Sequence, residues 1–227
     1  MQNNNLNRQD VWVVLPGYNE SARIADVIRQ VKRYCDQVLV VDDGSKDSTP
    51  DSAKAAGAQV ISHITNLGKG SALRTGCDYA LKNGASQIVV MDSDGQHEPS
   101  EIPKFLAELE NKDVVVGCRR WNSSMPFVMK VGNFGLHKMM KILYGIEVSD
   151  TQSGYRAFSA SAYKKIRWRS SDYAMESEML AKIQKHRLKY STIPIETIYH
   201  DNYKGTTVMN GIKIGFNLIL WKIFGLR

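Results

Sequence analysis

The sequence predicts an α/β fold: a mostly parallel central sheet flanked by helices. Short segments rich in β-branched residues recur along the first half of the chain, apolar residues between them fall at helical spacing, and polar motifs sit directly behind the strands. Val11–Leu15, Gln37–Val41, Gln59–Ser62, Gln87–Met91 and Asp113–Gly117 read as buried strands, each bounded by turn-forming or charged residues. Between the first two, Ile24, Val27, Ile28 and Val31 stand at i, i+3, i+4 and i+7 behind Ser21, a candidate N-cap. Further helices are expected over 48–56, 69–82, 101–110, 132–143 and 172–186. A βαβα alternation places ligands at the carboxyl ends of the strands.

With 227 residues, the chain fits one domain with a small C-terminal addition. We expect a short polar lead-in over 1–10, a main domain over 11–207 and an apolar C-terminal helix over 208–227. Hydrophobic residues at 43% and charged ones at 23% exclude a disordered or multi-span membrane chain. A net charge of +7 favours anionic partners. Cys35, Cys77 and Cys118 are widely spaced, with neither a CxxC pair nor partner histidines, so reduced thiols and an intracellular, cytoplasmic setting are expected. The apolar run Ile212–Phe224 is interrupted by Lys213 and Lys222 and falls short of the ~20 residues that cross a bilayer, so any membrane contact should be peripheral, at the cytoplasmic face.

The first strand runs into Pro16-Gly17-Tyr18-Asn19-Glu20, an aromatic ring and a carboxylate at a strand end. The second ends in Asp42-Asp43-Gly44-Ser45, where paired acids suit a ribose or a base and equally suit a turn. Asn66-Leu67-Gly68-Lys69-Gly70 precedes a helix and offers backbone N–H groups and an ammonium to a diphosphate, without the spacing of a Walker A loop. After the fourth strand comes Asp92-Ser93-Asp94-Gly95-Gln96-His97. Asp92 and Asp94 project to one side, and two such carboxylates call for a hard cation, Mg²⁺ or Mn²⁺. His97 is a candidate third ligand or a hydrogen-bonding neighbour. Asp150-Thr151-Gln152-Ser153-Gly154-Tyr155-Arg156 joins an acid, a flexible turn and a guanidinium that could meet sugar and phosphates. The polar loop 199–207, with His200 and Lys204, could close over a diphosphate.

Together and in this order, the motifs resemble family 2 glycosyltransferases, especially the dolichyl-phosphate mannose synthase and polyprenyl-phosphate branch, from Val11 to Lys222. The resemblance implies the GT-A nucleotide-diphospho-sugar transferase fold. It implies that Pro16, Tyr18, Glu20, Asp42 and Asp43 surround the nucleotide with Gly68 and Lys69 nearby, and that Asp92, Asp94 and Gln96 hold metal and donor diphosphate. Arg119 and Arg120 match the region that binds an acceptor's phosphate in members using lipid phosphates. The implied reaction is inverting transfer of a sugar, mannose or glucose first, from a GDP- or UDP-linked donor to a polyprenyl or dolichyl phosphate. Asp94 would act through the metal; Arg156, read from the residues themselves, could meet the donor's sugar and phosphates from the opposite side or be only part of a loop salt bridge. Transfer to a sugar hydroxyl is the alternative, with Asp150 as the base. The loop after Tyr199 departs from the mannose synthase pattern, which leaves the donor open.

A nucleotidyltransferase would carry a Gly-rich basic first loop where this chain has Pro16–Glu20. A nucleic-acid-binding module would explain the charge but not the ordered acidic motifs, and no nucleic-acid partner is expected. A homo-oligomer is compatible with the sequence.

Overall fold

The computed structural model describes residues 10–119, 127–198 and 208–226. Strands β1 (Val11–Gly17), β2 (Gln37–Asp42), β3 (Gln59–Ser62), β4 (Gln87–Val90), β5 (Val114–Arg119), β6 (Arg156–Ser159) and β7 (Tyr190–Ile195) form one seven-stranded sheet of order β3-β2-β1-β4-β6-β5-β7. β6 alone runs antiparallel, between β4 and β5. The helices are α1 (Ile24–Val31), α2 (Thr49–Ala55), α3 (Lys69–Lys82), α4 (Ile102–Leu109), α5 (Phe127–Tyr144), α6 (Ala160–Ile166), α7 (Met175–Lys185) and α8 (Val208–Phe224).

Burial on both faces explains the near-continuous apolar runs of β1, β2 and β4. On one face Val11, Val13, Leu15, Val38 and Val40 meet Ile24, Val27, Ile28 and Val31 of α1, with Phe105 and Leu106 of α4 in the same core. On the other, Trp12, Val14, Leu39 and Val41 meet Ala72, Leu73 and Cys77 of α3, and that core extends through α5, α6 and α7 to Ile214 and Leu218 of α8. The C-terminal helix is therefore part of the main core along one side. The Tyr144 hydroxyl donates to the Leu218 carbonyl at 2.8 Å.

The expected strands all form, with ends shifted by at most two residues, but β3, expected to be buried, is the edge strand of the sheet and its residues are half-buried or exposed. Three other features depart from expectation. Ser21 does not cap α1: the N-cap position is Arg23 without a side-chain bond, while the Ser21 N–H donates to Asp47. β6, not expected from the sequence, starts at Arg156, the last residue of the motif expected to hold a flexible turn; Arg-Ala-Phe-Ser contains no β-branched residue to signal a strand. β7 contains Pro194, tolerated because this strand closes the edge of the sheet beside β5.

Gly76 sets the approach of α3 to the sheet. A Cβ there would lie 2.4 Å from Val14 Cγ1 and 2.9 Å from Val41 Cγ2. Gly76→Ala should therefore lose about 1–3 kcal/mol in urea denaturation, the cost of overpacking a filled core. An unchanged midpoint would show that the helix can retreat freely.

Candidate active site

In the order β2-β1-β4, consecutive connections lead to opposite sides of β1, and a crevice opens where the strand order reverses. A cleft of about 170 Å³ lies there, lined by Pro16, Gly17, Tyr18, Glu20, Asp43, Lys69, Ala72, Asp92, Ser93, Asp94 and Tyr173. Six of the residues expected from sequence to surround a nucleotide, Pro16, Tyr18, Glu20, Asp43, Lys69 and Asp92, line this one cleft together with Asp94.

The first wall is a pair of interlocked loops. Asn19 takes a left-handed backbone conformation, φ 54°, which asparagine tolerates better than most residues. Its N–H donates to Ser45 Oγ at 2.9 Å, its side-chain oxygen accepts from the Lys46 N–H at 2.9 Å, and the Glu20 N–H donates to Thr49 Oγ1 at 2.8 Å. Pro16 is tied across the sheet, its carbonyl accepting from Ser93 Oγ at 2.6 Å. Tyr18 stays 42% exposed, leaving its ring face open to an aromatic base.

Asp42 and Asp43 serve this scaffold first. Asp42 accepts from the Ser45 N–H at 3.1 Å and is absent from the cleft lining. Asp43 accepts from the N–H groups of Leu67 at 2.9 Å and Gly68 at 2.8 Å, and meets His63 Nδ1 at 2.7 Å. The glycine-rich loop does not present its amides to a phosphate. Those of Leu67 and Gly68 go to Asp43, while those of Gly70 and Ser71 donate to the Ser171 carbonyl at 2.8 and 3.3 Å. Gly68, at φ 92°, is needed because a Cβ would come within 2.3 Å of that same carbonyl oxygen. What the loop delivers to the cleft is the Lys69 side chain.

Lys69 Nζ stands 2.6 Å from Asp92 Oδ1 and 3.0 Å from Glu176 Oε1, and 5.7 Å from the centre of the Tyr173 ring. Burial opposes its charge, but the two carboxylates outweigh it and raise its pKa, so the ammonium persists at all working pH values. Burial likewise opposes ionisation of Asp92, yet Lys69 and His97, whose Nε2 is 3.5 Å away, hold its carboxyl far below the usual range. Asp94 moves the other way, raised by burial and then by the charge of Asp92. A carboxylate destabilised by a neighbouring carboxylate is where a bound cation gains most.

The fit to a divalent metal is therefore good at Asp94, with Asp92 beside it. Among the described residues, however, no three His, Cys, Asp or Glu side chains converge into a preformed cage. Gln96, expected as a ligand, donates from Nε2 to Asp94 Oδ2 at 2.7 Å, so its amide must turn before its oxygen could coordinate. His97 is buried, packs 5.1 Å from the Tyr155 ring and leaves Nδ1 without a hydrogen bond.

Two expected catalytic residues are placed elsewhere. Arg156, in β6, is wholly buried and donates to the carbonyls of Ser153, Glu176 and Thr151 at 3.0, 2.7 and 2.8 Å, so it braces the loop behind the cleft and does not meet the donor. Asp150 is buried against Arg119, accepting from Nε at 2.6 Å and Nη2 at 3.0 Å. Although burial works against it, that guanidinium holds the carboxyl below its usual range, which makes Asp150 a poor base. Arg119 closes β5 as half of this pair, and Arg120, His200 and Lys204 lie outside the described residues. Glu176 and Tyr173 were missed because no motif surrounds them, and Ser93, inside the Asp92–His97 motif, was given no role although its hydroxyl ties that segment to Pro16. Glu176 could have been suspected only as an acid on the buried face of α7.

The profile described as "Glycosyl transferase family 2" matches residues 12–167. The chain belongs to that family. It is 36% identical to a UDP-N-acetylglucosamine–dolichyl-phosphate N-acetylglucosaminyltransferase of Methanococcus voltae, over 94% of this chain and 96% of the relative. It is 27% identical to a polyprenol monophosphomannose synthase of Mycolicibacterium smegmatis, over 96% and 88%. The GT-A fold is shared with glucosyl-3-phosphoglycerate synthase of Mycobacterium tuberculosis, solved with Mn²⁺, UDP-glucose and phosphoglyceric acid, at a TM-score of 0.76 and 21% identity over 96% of this chain and 81% of that one. The protein is a glycosyltransferase, and its relatives act on polyprenyl phosphates.

Within this transferase, Gly154 is the position where the Asp150–Arg156 motif touches the charged centre. A Cβ there would lie 2.6 Å from Asp92 Oδ2 and 2.8 Å from Lys69 Nζ. Gly154→Ala should keep the fold by circular dichroism yet weaken nucleotide binding in the presence of metal by about tenfold, ~1.4 kcal/mol. Wild-type affinity by calorimetry would mean that Asp92 and Lys69 need not be held where they are.

Proposed function

We propose that the enzyme transfers a hexose or N-acetylhexosamine from a nucleotide-sugar to a polyprenyl or dolichyl phosphate, with inversion and with a divalent metal, Mg²⁺ or Mn²⁺. The observation that carries this reading is the lining of one cleft by an exposed aromatic ring, Tyr18, a permanent cation, Lys69, and the adjacent carboxylates Asp92 and Asp94. A base, a diphosphate and a metal ion are the chemistry these groups complement.

Asp94, with Asp92, would hold the metal, and Gln96 and His97 are the neighbours able to complete its shell. When bound, the metal supplies Lewis-acid stabilisation of the diphosphate leaving group. Lys69 adds a fixed positive charge in a site shielded from water, and Tyr18 and Glu20 orient the nucleoside. In the displacement, the anomeric carbon's bond to the diphosphate oxygen breaks as an acceptor phosphate oxygen bonds to that carbon, and the nucleoside diphosphate leaves with the electron pair. A phosphate acceptor is already anionic, so no strong base is needed. That fits a site whose best base candidate, Asp150, is committed to Arg119. Arg119, whose Nε and Nη2 are held by Asp150, and Arg120 are assigned to the acceptor phosphate on sequence grounds alone. His200 and Lys204 are assigned to the donor diphosphate on the same grounds.

The dolichyl-phosphate N-acetylglucosaminyltransferase at 36% identity favours a UDP-linked donor and widens the sugar beyond mannose or glucose to N-acetylglucosamine. Competition calorimetry with UDP- and GDP-sugars, with and without Mn²⁺, followed by transfer to a short polyprenyl phosphate, tests both choices. A GDP-sugar preference would overturn the donor assignment, and transfer to glycan hydroxyls instead of the phosphate would overturn the acceptor.

Asp94→Ala should abolish metal-dependent transfer, by more than about a hundredfold, without changing the thermal midpoint, because the carboxylate faces the cleft and does not support the core. Full turnover at limiting metal in the folded variant would remove Asp94 from the site. For Arg119, alanine would strand Asp150 as a buried unpaired charge at about 3–5 kcal/mol, so lysine is the informative change. Arg119→Lys should raise KM for the phosphorylated acceptor several-fold while leaving the donor's unchanged, and equal shifts in both would contradict the division.

A further inference from the structure

A lysine carries its charge on a long flexible stem, so an ammonium that must act at one point has to be held by more than its own backbone. Lys69 Nζ meets Asp92 Oδ1 at 2.6 Å and Glu176 Oε1 at 3.0 Å, with the centre of the Tyr173 ring 5.7 Å away. The two acids are not equivalent. The Asp92 side chain is 26% exposed and lines the cleft, whereas that of Glu176 is 1% exposed and takes no part in the lining. A ligand in the cleft can therefore compete with Lys69 for Asp92 and does not touch Glu176.

Glu176 is itself built into place. It is the second residue of α7, where the helix dipole favours a carboxylate. Its backbone carbonyl accepts from Arg156 Nη1 at 2.7 Å, and beside it Ser177 Oγ accepts from Gln152 Nε2 at 2.8 Å, so the Asp150–Arg156 loop fastens this turn of α7. Burying an acid is costly, and replacing a buried ion pair by apolar groups of similar size often leaves a fold as stable or more so. Stability alone thus gives no reason for a glutamate at this position.

We propose that Glu176 is a positioning residue for sugar transfer: it anchors the Lys69 ammonium from outside the cleft, so that the cation stays beside the donor diphosphate when Asp92 turns to the metal, a role that rests on the metal and diphosphate reading of Asp92 and Lys69 given above. Without this anchor Lys69 would have Asp92 alone and would compete for it with the metal. An arriving diphosphate would then have to order the ammonium as it bound.

The test is calorimetry of UDP and of uridine, with and without Mn²⁺, on the native enzyme, Glu176→Gln, Glu176→Asp, Lys69→Met and the double variant Lys69→Met with Glu176→Gln. GDP and guanosine take their place should the native enzyme prefer them. Glu176→Gln keeps the shape of the side chain and should weaken Mn²⁺-dependent UDP binding about tenfold, and raise the Mn²⁺ concentration it requires, while uridine binding stays unchanged. Glu176→Asp restores the charge with a shorter reach and should recover part of the loss. Because Glu176 acts through Lys69, the glutamine should cost little in the Lys69→Met background, where both charges of the pair are gone. Should Glu176→Gln fail to fold, Glu176→Asp replaces it in every arm, with a smaller loss for UDP and none for uridine. Unchanged UDP binding, equal losses of UDP and uridine, or a glutamine as costly in Lys69→Met as in the native enzyme would each overturn the positioning role alone. A native enzyme that binds neither diphosphate with Mn²⁺ would overturn the donor-site reading and the positioning role with it.

Discussion

Lys69 is the charge around which the active site is built. Its side chain is largely covered, 16% exposed, at the start of α3, and an ammonium without counter-charges there would be costly to keep ionised. Asp92 and Glu176 make it tolerable, at 2.6 and 3.0 Å. The rest of the local structure follows from holding that ion in place. Asp43 pins the turn before it, the Ser171 carbonyl accepts the amides after it, and Gly154 lets the Asp150–Arg156 loop close against it without a side chain in the way. Removing any one of these supports disturbs a buried charge.

The same arrangement explains why Asp92 and Asp94 differ although one residue separates them. Asp92 has its counter-charge in the protein, so it is ionised and engaged. Asp94 has Asp92 for a neighbour and no lysine of its own, so its carboxyl is raised, first by burial and then by that repulsion. A divalent cation binding here would meet one acid already compensated and one that is not, and would gain most at Asp94.

Much of this was legible in the sequence because it is written in local pattern. The strand ends, the amphipathic stripe of α1 and the Asp-x-Asp segment are each set by a handful of neighbouring residues. What stayed hidden depends on residues distant in the chain. Nothing near Asp43 announces that its carboxylate will be consumed by the amides of Leu67 and Gly68, and nothing near Lys69 announces Glu176, 107 residues away on α7. The glycine-rich loop brings its lysine to the cleft, while the amides expected to face a phosphate are engaged by Asp43 and the Ser171 carbonyl, because amide direction depends on distant residues, among them the Ser170–Asp172 segment that packs over the loop.

Arg119 and Arg156 show how far the same residue type can diverge. Both are buried and both flank the Asp150–Tyr155 loop, yet Arg119 is matched by a carboxylate whereas Arg156 bonds only to carbonyls and the Met179 sulfur among its hydrogen-bond acceptors. Burial lowers the pKa of Arg156, and Glu176 is the first of the charges that restore it. Glu176 thus serves two cations, Lys69 at 3.0 Å in the cleft and Arg156 behind it, although burial raises the pKa of its own carboxyl. Were a metal or a diphosphate to claim Asp92, Lys69 would still have Glu176 as a counter-charge, so the ammonium would not be left unmatched.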